Sequence, residues 1–568
     1  MTDVFSLKIG GFAGQGVKSS GLLFSKFAVD SGYNIYNYVE YPSLIKGGHN
    51  VIQVNISKDA VLGPSVKTDF LIALNQETVG LHLSELTSKA KILCDADTNI
   101  PKLPAGVTLF KVPLSKLAKD SGGGELLGNT VALGAAAALL GGTLKILSNL
   151  TNKEYEGQRF AENNLEAAAL GFRYVLENYS SKRIDLLRYS KSDPKIVLNG
   201  NGAVALGAMS AKMEFSAIYP MSPISGILHI LAKKQKEYGY IYMQPEDEIS
   251  GINMAIGASF AGKRSMVATS GGGFCLMTEG LGLAGMTETP LVIVEGMRGA
   301  PATGLPTWSE QGDLQFVLHA HQGEFPRIVL APGDLTEAFY LTMEAFNLAD
   351  RYQTPVIILM DKNICDNDQS APEFDISGYK IDRGKFTAEK VKDYMRYKLS
   401  EDGVSLRTVP GSGNFFIANS DEHDEFGYSS EDAENRISQM RKRMEKLESC
   451  AKFDMPKPVL FGPEKADVTI VSWGSNKGSI LQALKKFPDV NYLHIVRMNP
   501  FPSDAVKRIL RGAHHIIDME CNYTGQLASL ILEKTGIEIK DKFLKYDGRP
   551  IFVEEVEDKI ESVLKGGK

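Results

Sequence analysis

Apolar and polar positions alternate along most of the chain in two kinds of block: short apolar runs of strand length and longer stretches with helical periodicity. Near the N terminus Leu7-Lys8-Ile9 runs into a glycine-rich turn, and residues 51–55, 70–74 and 91–94 repeat the short-run pattern. A long helical pattern covers 154–174. Such alternation predicts an α/β domain built on a parallel sheet. The charged stretch 178–195, with Ser180-Ser181-Lys182-Arg183 and Asp193-Pro194, reads as a linker. A second alternating region opens at Ile196-Val197-Leu198 and runs to about 361, with strands expected at 217–219, 266–268, 291–294 and 356–359. Each expected strand ends in glycine, proline or polar residues, where ligands sit at the carboxyl edge of an α/β sheet. Residues 365–465 lose this rhythm, turn-rich at first and then helical over 432–447, and a third unit opens at Val468-Thr469-Ile470-Val471. The expectation is a multidomain α/β protein divided as 1–178, a linker 179–195, 196–364, an irregular and helical connector 365–465, and 466–568.

Bulk properties narrow the function without naming it. A chain of 568 residues exceeds one hydrophobic core, in keeping with this division. The formal net charge of −6 argues against a general nucleic-acid binder, which carries a basic stripe. Cys94, Cys275, Cys365, Cys450 and Cys521 are far apart and none has C-x-x-C spacing. They signal neither a zinc ribbon, nor an iron–sulfur cluster on this chain, nor a disulfide framework, and the chain reads as cytoplasmic. Met1-Thr2-Asp3-Val4 opens no signal-peptide pattern. The most apolar stretch, 131–140, is alanine-rich and shorter than the ~20 residues a membrane span needs, so it reads as a tightly packed helix.

Two glycine-bearing segments offer anion chemistry. Gly10-Gly11-Phe12-Ala13-Gly14-Gln15-Gly16 lies between an expected strand and helix, where backbone N–H groups and a helix N terminus can meet a phosphate. Val17 separates Gly16 from Lys18-Ser19, so this is no P-loop, and the glycine spacing is not that of a dinucleotide fingerprint. Taken alone, a plain tight turn and a phosphate cradle stay equally open. Tyr41-Pro42-Ser43-Leu44-Ile45-Lys46-Gly47-Gly48-His49 places a cation beside two glycines, which also suits an ordinary surface turn.

The sharpest pattern lies in the second unit. Tyr219-Pro220-Met221-Ser222-Pro223 ends an expected strand, and its two prolines make a rigid mount for one hydroxyl, either a donor for a ligand or a helix N-cap. Downstream, Gln244-Pro245-Glu246-Asp247-Glu248 opens a helix that continues small and apolar to Gly257. Acids suit any first helical turn, which accounts for Glu246 and Asp247. Glu248 enters the apolar run, where a carboxyl needs a specific partner.

Taken in order along nearly the whole chain, these segments resemble the fused γ–α subunit of 2-oxoacid:ferredoxin oxidoreductases. Thr269-Ser270-Gly271-Gly272-Gly273-Phe274, Glu279-Gly280-Leu281-Gly282, Arg298-Gly299-Ala300-Pro301-Ala302-Thr303-Gly304, Glu310-Gln311-Gly312-Asp313-Leu314, Glu520-Cys521-Asn522-Tyr523-Thr524-Gly525 and Lys545-Tyr546-Asp547-Gly548-Arg549-Pro550 keep step with it. Glycine stands at Gly272 where the family pattern has proline, and Lys46 stands where arginine is frequent. The resemblance implies a γ domain on the coenzyme A side, with Gly14, Gly16, Lys46, Gly47 and Gly48 near that co-substrate. It implies a pyrimidine-type thiamine diphosphate domain and a domain related to the transketolase C-terminal domain. Tyr219, Pro220, Ser222 and Glu248 would then contact thiamine diphosphate. Glu248 would be the carboxyl on the aminopyrimidine ring, where hydrogen bonding favours the imino tautomer that removes the C2 proton. Arg298, with Ser222 and Thr303, would hold the substrate carboxylate, a task suited to a planar bidentate donor.

A segment to hold magnesium and diphosphate and a cysteine cluster are both missing from this sequence. The family places both on a β subunit, so the implied holoenzyme is an αβ or (αβ)2 assembly. Mg2+ and a [4Fe–4S] cluster are expected on β, with ferredoxin as electron acceptor. The fusion order leans toward a 2-oxoglutarate enzyme. A pyruvate, branched-chain or aryl-pyruvate enzyme stays open, as does a non-catalytic scaffold for coenzyme A or a nucleotide.

Overall fold

The computed structural model describes residues 4–43 and 48–566, so Lys46 and Gly47 lie outside the described residues. The chain forms two compact units. The first comprises 1–198 with two later insertions, 367–373 and 552–555. Its eight-stranded sheet runs in the order Thr108–Val112, Leu86–Asp95, Thr68–Ala73, Phe5–Phe12, His49–Ser57, Asn34–Glu40, Gln369–Pro372, Lys195–Leu198. The first four strands are parallel, and every later pairing is antiparallel.

The all-parallel expectation for this unit is therefore corrected to a mixed sheet. Asn34–Glu40 and His49–Ser57 are joined by too short a connection for a parallel crossover, which takes roughly a dozen residues, and so they lie antiparallel. Asparagines hide Asn34–Glu40 in the sequence. Asn37 is buried there because its side chain exchanges hydrogen bonds with Asp368, at 2.8 and 2.6 Å. Lys195–Leu198, expected to open the second unit, instead edges this sheet against Gln369–Pro372. The single helix expected over 154–174 is two, Leu144–Tyr155 and Ala161–Asn178, broken around Gly157, whose φ of 74° ends the first. The alanine-rich stretch is the buried helix Gly128–Leu139. It lies so close to Ala161–Asn178 that a Cβ on Gly134 would overlap the Ala168 carbonyl.

The second unit comprises 199–366, 374–551 and 556–568. Its seven-stranded sheet has the order Arg497–Asn499, Ile328–Leu330, Pro355–Asp361, Leu291–Met297, Ser265–Thr269, Phe215–Ala217, Ile241–Met243, parallel except at Arg497–Asn499. A five-stranded sheet centres on Val468–Trp473, with Val459–Phe461 antiparallel at one edge. The core strands are continuous apolar runs covered by helices, as a parallel sheet buried on both faces requires.

The connector is irregular until the helix Ala433–Phe453, which Asp432 caps by accepting from the Asn435 N–H at 2.7 Å. Lys442 and Lys446 of this helix each reach the buried Glu288 carboxylate at 2.6 Å, pinning the connector to the seven-stranded-sheet part of the unit. His423, whose acidic sequence neighbours would suit a solvated loop, is fully buried, its ring 4.0 Å from that of Tyr397. Its Nδ1 donates to the Asp421 carbonyl at 2.9 Å, which satisfies one ring nitrogen inside the fold. Among the described residues no helix is long and apolar enough to cross a membrane.

Candidate functional site

The candidate residues of the second unit leave the carboxyl ends of adjacent parallel strands. Phe215–Ala217 leads into Tyr219-Pro220-Met221-Ser222, Ile241–Met243 into Glu248, Ser265–Thr269 into the helix Gly271–Met286, and Leu291–Met297 into Arg298. This is where open α/β sheets place ligands.

The Ser222–Pro223 peptide is cis, and the two carbonyls of this pair are each held by a side chain. Arg298 Nη1 donates to the Ser222 carbonyl at 2.8 Å, and Asn201 Nδ2 donates to the Pro223 carbonyl at 2.8 Å. Gly296 allows the strand to pass close, since a Cβ there would stand 2.5 Å from Ile224 Cγ2. The helix begins at Ser225 with Ile224 at its N-cap position, so Ser222 is not its cap. Half-buried, Ser222 meets Arg298 through its backbone oxygen, not its hydroxyl. Tyr219 and Pro220 are exposed beside it, and Thr303 is exposed in the loop closed by the Gly299–Leu305 bridge. Among the described residues Thr303 makes no side-chain hydrogen bond, whereas Arg298 is bonded to Ser222.

The three adjacent acids separate cleanly. Glu246 is exposed. Asp247 is the N-cap of Glu248–Phe260, accepting from the Ser250 N–H at 2.8 Å. Glu248 is only 3% exposed, and its Oε1 takes no hydrogen bond among the described residues. It stands against the first turn of Gly271–Met286, where a Cβ on Gly273 would lie 2.6 Å from Glu248 Oε1 and overlap Thr269 Oγ1. Glycine at Gly273 therefore keeps space around a buried carboxyl that lacks a donor. A carboxyl in that state suits a nitrogen of a bound heterocycle.

A third group emerges only in three dimensions. Burial raises Glu295 well above the ordinary glutamate range, and the neighbouring Asp313 charge adds to the effect. Burial pushes Asp313 up to about 6. Burial also holds Arg298 below its ordinary value, while Glu295 and Asp313 pull it the other way. Glu295 reads in sequence as one polar residue ending an apolar strand, and nothing there ties it to Asp313.

In the first unit the two glycine segments meet. The Ala13 N–H donates to the Gly48 carbonyl at 3.2 Å, and Phe12 pairs with His49 across the antiparallel ladder. Gly14 and Gly16 have φ of 93° and 70°, values that favour glycine. Gly16 starts the helix Val17–Asp30 without a side-chain cap, leaving its first N–H groups for an anion. Asn129 backs the turn, donating to Ser20 Oγ at 2.9 Å. Beneath Gly10, His49 Nε2 and His82 Nε2 share a hydrogen at 2.9 Å, and His82 Nδ1 meets Glu85, which also binds Lys8. Sequence spacing does not reveal this chain of side chains.

Comparisons with known proteins agree with this geometry. A family model described as pyruvate flavodoxin/ferredoxin oxidoreductase, thiamine diphosphate-binding, matches residues 206–442. A second, described as pyruvate ferredoxin/flavodoxin oxidoreductase, matches residues 6–174. The 2-oxoacid:ferredoxin oxidoreductase subunit alpha of Saccharolobus solfataricus is 32% identical over 99% of this chain and 98% of its own length. The 2-oxoglutarate oxidoreductase subunit KorA of Mycobacterium tuberculosis is 26% identical over 99% of this chain and 91% of its own. A solved 2-oxoglutarate:ferredoxin oxidoreductase from Magnetococcus marinus, with 2-oxoglutarate, coenzyme A and succinyl-CoA bound, is 30% identical. It superposes with a TM-score of 0.92, covering 99% of this chain and 100% of that one. Collinear similarity of this extent, on an α/β framework with its candidate residues at the carboxyl edge, places the chain in the family of 2-oxoacid:ferredoxin oxidoreductase α subunits.

Proposed function

We propose that this chain works with a β subunit to convert a 2-oxoacid, 2-oxoglutarate foremost, and coenzyme A into the acyl-CoA and CO2, passing the electrons to ferredoxin. The observation that carries the site assignment is the buried Glu248 carboxyl, whose Oε1, beside Gly273, has no partner among the described residues. Its surroundings fit the aminopyrimidine end of thiamine diphosphate, with Tyr219, Pro220 and Ser222 on the neighbouring strand end. When bound, thiamine diphosphate supplies the electron sink that lets the substrate carboxylate leave as CO2. Glu248 would hold the ring nitrogen through a hydrogen bond and move a proton at that atom. Arg298 takes the substrate carboxylate through donors not committed to Ser222, with the Ser222 hydroxyl and Thr303 completing that seat.

Gly14, Gly16, Lys46, Gly47 and Gly48 form the coenzyme A side, supported by the uncapped helix start at Gly16. The division of the sequence into 1–178, 196–364 and 466–568 follows these roles, except that 195–198 and 552–555 pack with the first unit. Mg2+ and the [4Fe–4S] cluster belong to β, a reading supported by the wide spacing of this chain's cysteines, none of them in a C-x-x-C pair. Cysteines spaced in this way also suit a reducing cytoplasm. Tyr219, Ile249 and Leu276, large apolar side chains exposed near Glu248, suit a face that β covers in an αβ or (αβ)2 assembly.

Preference for 2-oxoglutarate is supported by the ligands of the Magnetococcus marinus enzyme. The test is reconstitution. This chain alone should be colourless and inactive, and joined to its β subunit it should form succinyl-CoA from 2-oxoglutarate with reduction of ferredoxin. Preferred turnover of pyruvate, branched-chain or aryl-pyruvate substrates would reassign the substrate. A stoichiometric iron–sulfur cluster assembled on this chain alone would sink the division of labour.

A further inference from the structure

Glu295 is fully buried, and neither of its carboxylate oxygens receives a hydrogen bond from a donor among the described residues. It stands on Leu291–Met297 in register with Thr269 and Leu359, at the sheet edge from which Arg298 departs. The group it faces is another acid, Asp313. Two carboxylates cannot hydrogen-bond one another unless one carries a proton. Asp313 is fixed from its other side as well. Its Oδ2 lies 2.5 Å from where a Cβ of Gly271 would stand, so it is pressed against the first residue of the helix Gly271–Met286.

Among the described residues, the remaining charged and titratable groups around the pair give Glu295 no donor. Cys275, on that helix, and Glu310 add no positive charge, and Arg298 supplies the cation. Behind Glu295, burial keeps the Cys365 thiol protonated, Lys362 lies 3.9 Å from Asp366, and Asp361 accepts from Gln311 and the Ser475 N–H.

We propose that Glu295 and Asp313 form a carboxylic acid–carboxylate pair that sets the charge around Arg298, so that docking of a 2-oxoacid carboxylate on Arg298 takes up a proton into the pair. The inference rests on the reading of Arg298 as the seat of that carboxylate. In the free enzyme above neutral pH the pair holds one proton and one negative charge, which competes with the substrate anion for the guanidinium. Protonating the second carboxyl removes the competitor. By linkage, substrate binding and this protonation favour each other equally. Burial pushes Asp313 up to about 6, which places the change within the working range of pH. Asp313 is thus a positioning residue, acting through Arg298 rather than on the reacting atoms.

The experiment is the KM for 2-oxoglutarate as a function of pH in the assembled αβ enzyme, for wild type, Asp313→Asn, Glu295→Gln and Arg298→Ala. In wild type KM should be low below about pH 6 and rise roughly tenfold above it, a coupling of ordinary size. Asp313→Asn mimics the protonated state, so its KM should stay near the wild-type low-pH level throughout. Glu295→Gln keeps a neutral donor toward Asp313 in place of the protonated carboxyl, so its rise should stay close to that of wild type. Arg298→Ala should raise KM at every pH and abolish the dependence. A wild-type pH dependence in Asp313→Asn, with KM raised in Arg298→Ala, would overturn the proposal and leave the reading of Arg298 standing. An unchanged KM in Arg298→Ala would overturn both.

Discussion

The Arg298 guanidinium donates from Nη1 to the backbone carbonyl of Ser222 at 2.8 Å, although 76 residues separate them. One end of the fork is thereby fixed to the turn that follows Phe215–Ala217, while the side chain itself departs from Leu291–Met297. Replacing Arg298 by alanine removes both the anchor and the free donors. KM for the 2-oxoacid should rise by the equivalent of about 1.5–3 kcal/mol in kcat/KM, with a smaller change in kcat. Arg298→Lys keeps the charge but not the fork, and should recover only part of that loss. Unchanged steady-state kinetics in both variants of the assembled enzyme would remove Arg298 from the substrate seat.

Gly273 tests the cofactor cradle without touching a charge. A Cβ there would overlap Thr269 Oγ1 and lie 2.6 Å from Glu248 Oε1, and both neighbours are buried. Gly273→Ala must therefore shift the carboxyl. We expect the chain to fold and assemble with β, because alanine is a better helix former than glycine by about 1 kcal/mol. Affinity for thiamine diphosphate should fall, read by fluorescence or calorimetric titration of the apo complex. Gly272→Ala is the control, since nothing lies within 4 Å of a Cβ at that position. Equal binding by Gly273→Ala, Gly272→Ala and wild type would show that Glu248 does not line the cofactor site.

Much of this site can be read along the chain because its logic is local. Glu248 stands out as an acid at the head of a small, apolar helix, and the paired prolines mark the Ser222 turn. What escapes the sequence is whatever depends on two distant segments meeting. The bond from Arg298 uses a main-chain oxygen, which every residue has, so no residue type announces it. Glu295 looks like the polar end of a strand until the fold sets it opposite Asp313. Antiparallel pairing of Asn34–Glu40 is hidden for the same reason, since burial of Asn37 makes sense only beside Asp368. His423 appears solvated among its acidic neighbours until Tyr397 is seen to cover it.

Acid stability should depend on a cluster linking the two sheets of the second unit. Glu337 accepts from Lys477 at 2.5 Å and lies 3.0 Å from His494 Nε2. Burial works to raise its pKa, but His494 and Lys477 more than offset this and hold it at about 2, below the ordinary 4.5. A depressed carboxyl contributes stability that is complete above its unfolded value and is lost as pH falls through its folded value. The expected contribution is on the order of 3 kcal/mol at neutral pH, fading between about pH 4.5 and about pH 2. Scanning calorimetry across that range should show Glu337→Gln melting below wild type near neutrality, with the gap closing toward acid. A gap that stays constant with pH would mean the loss is one of packing rather than charge.

The decisive variant for catalysis is Glu248→Gln. The change is nearly isosteric and preserves hydrogen-bonding capacity, so folding and assembly with β should survive. What it removes is the ability of a buried carboxyl, with no donor at Oε1 among the described residues, to exchange a proton with a ring nitrogen. Proton exchange at C2 of thiamine diphosphate in the assembled complex should slow by roughly 10²–10⁴-fold, the usual range for lost acid–base assistance. The neighbouring acids serve as internal controls because the fold gives each a different task. Glu246 is exposed, so Glu246→Gln should leave exchange unaltered. Asp247 caps the helix through Ser250, and Asp247→Asn retains that capping oxygen, so its effect should be small as well. Asp247→Ala loses the cap and should lower stability by about 1 kcal/mol without slowing exchange comparably. Fast exchange in Glu248→Gln together with collapse in Glu246→Gln would transfer the catalytic role to the exposed acid. That result would also mean that β, rather than this chain, buries the carboxyl that meets the ring.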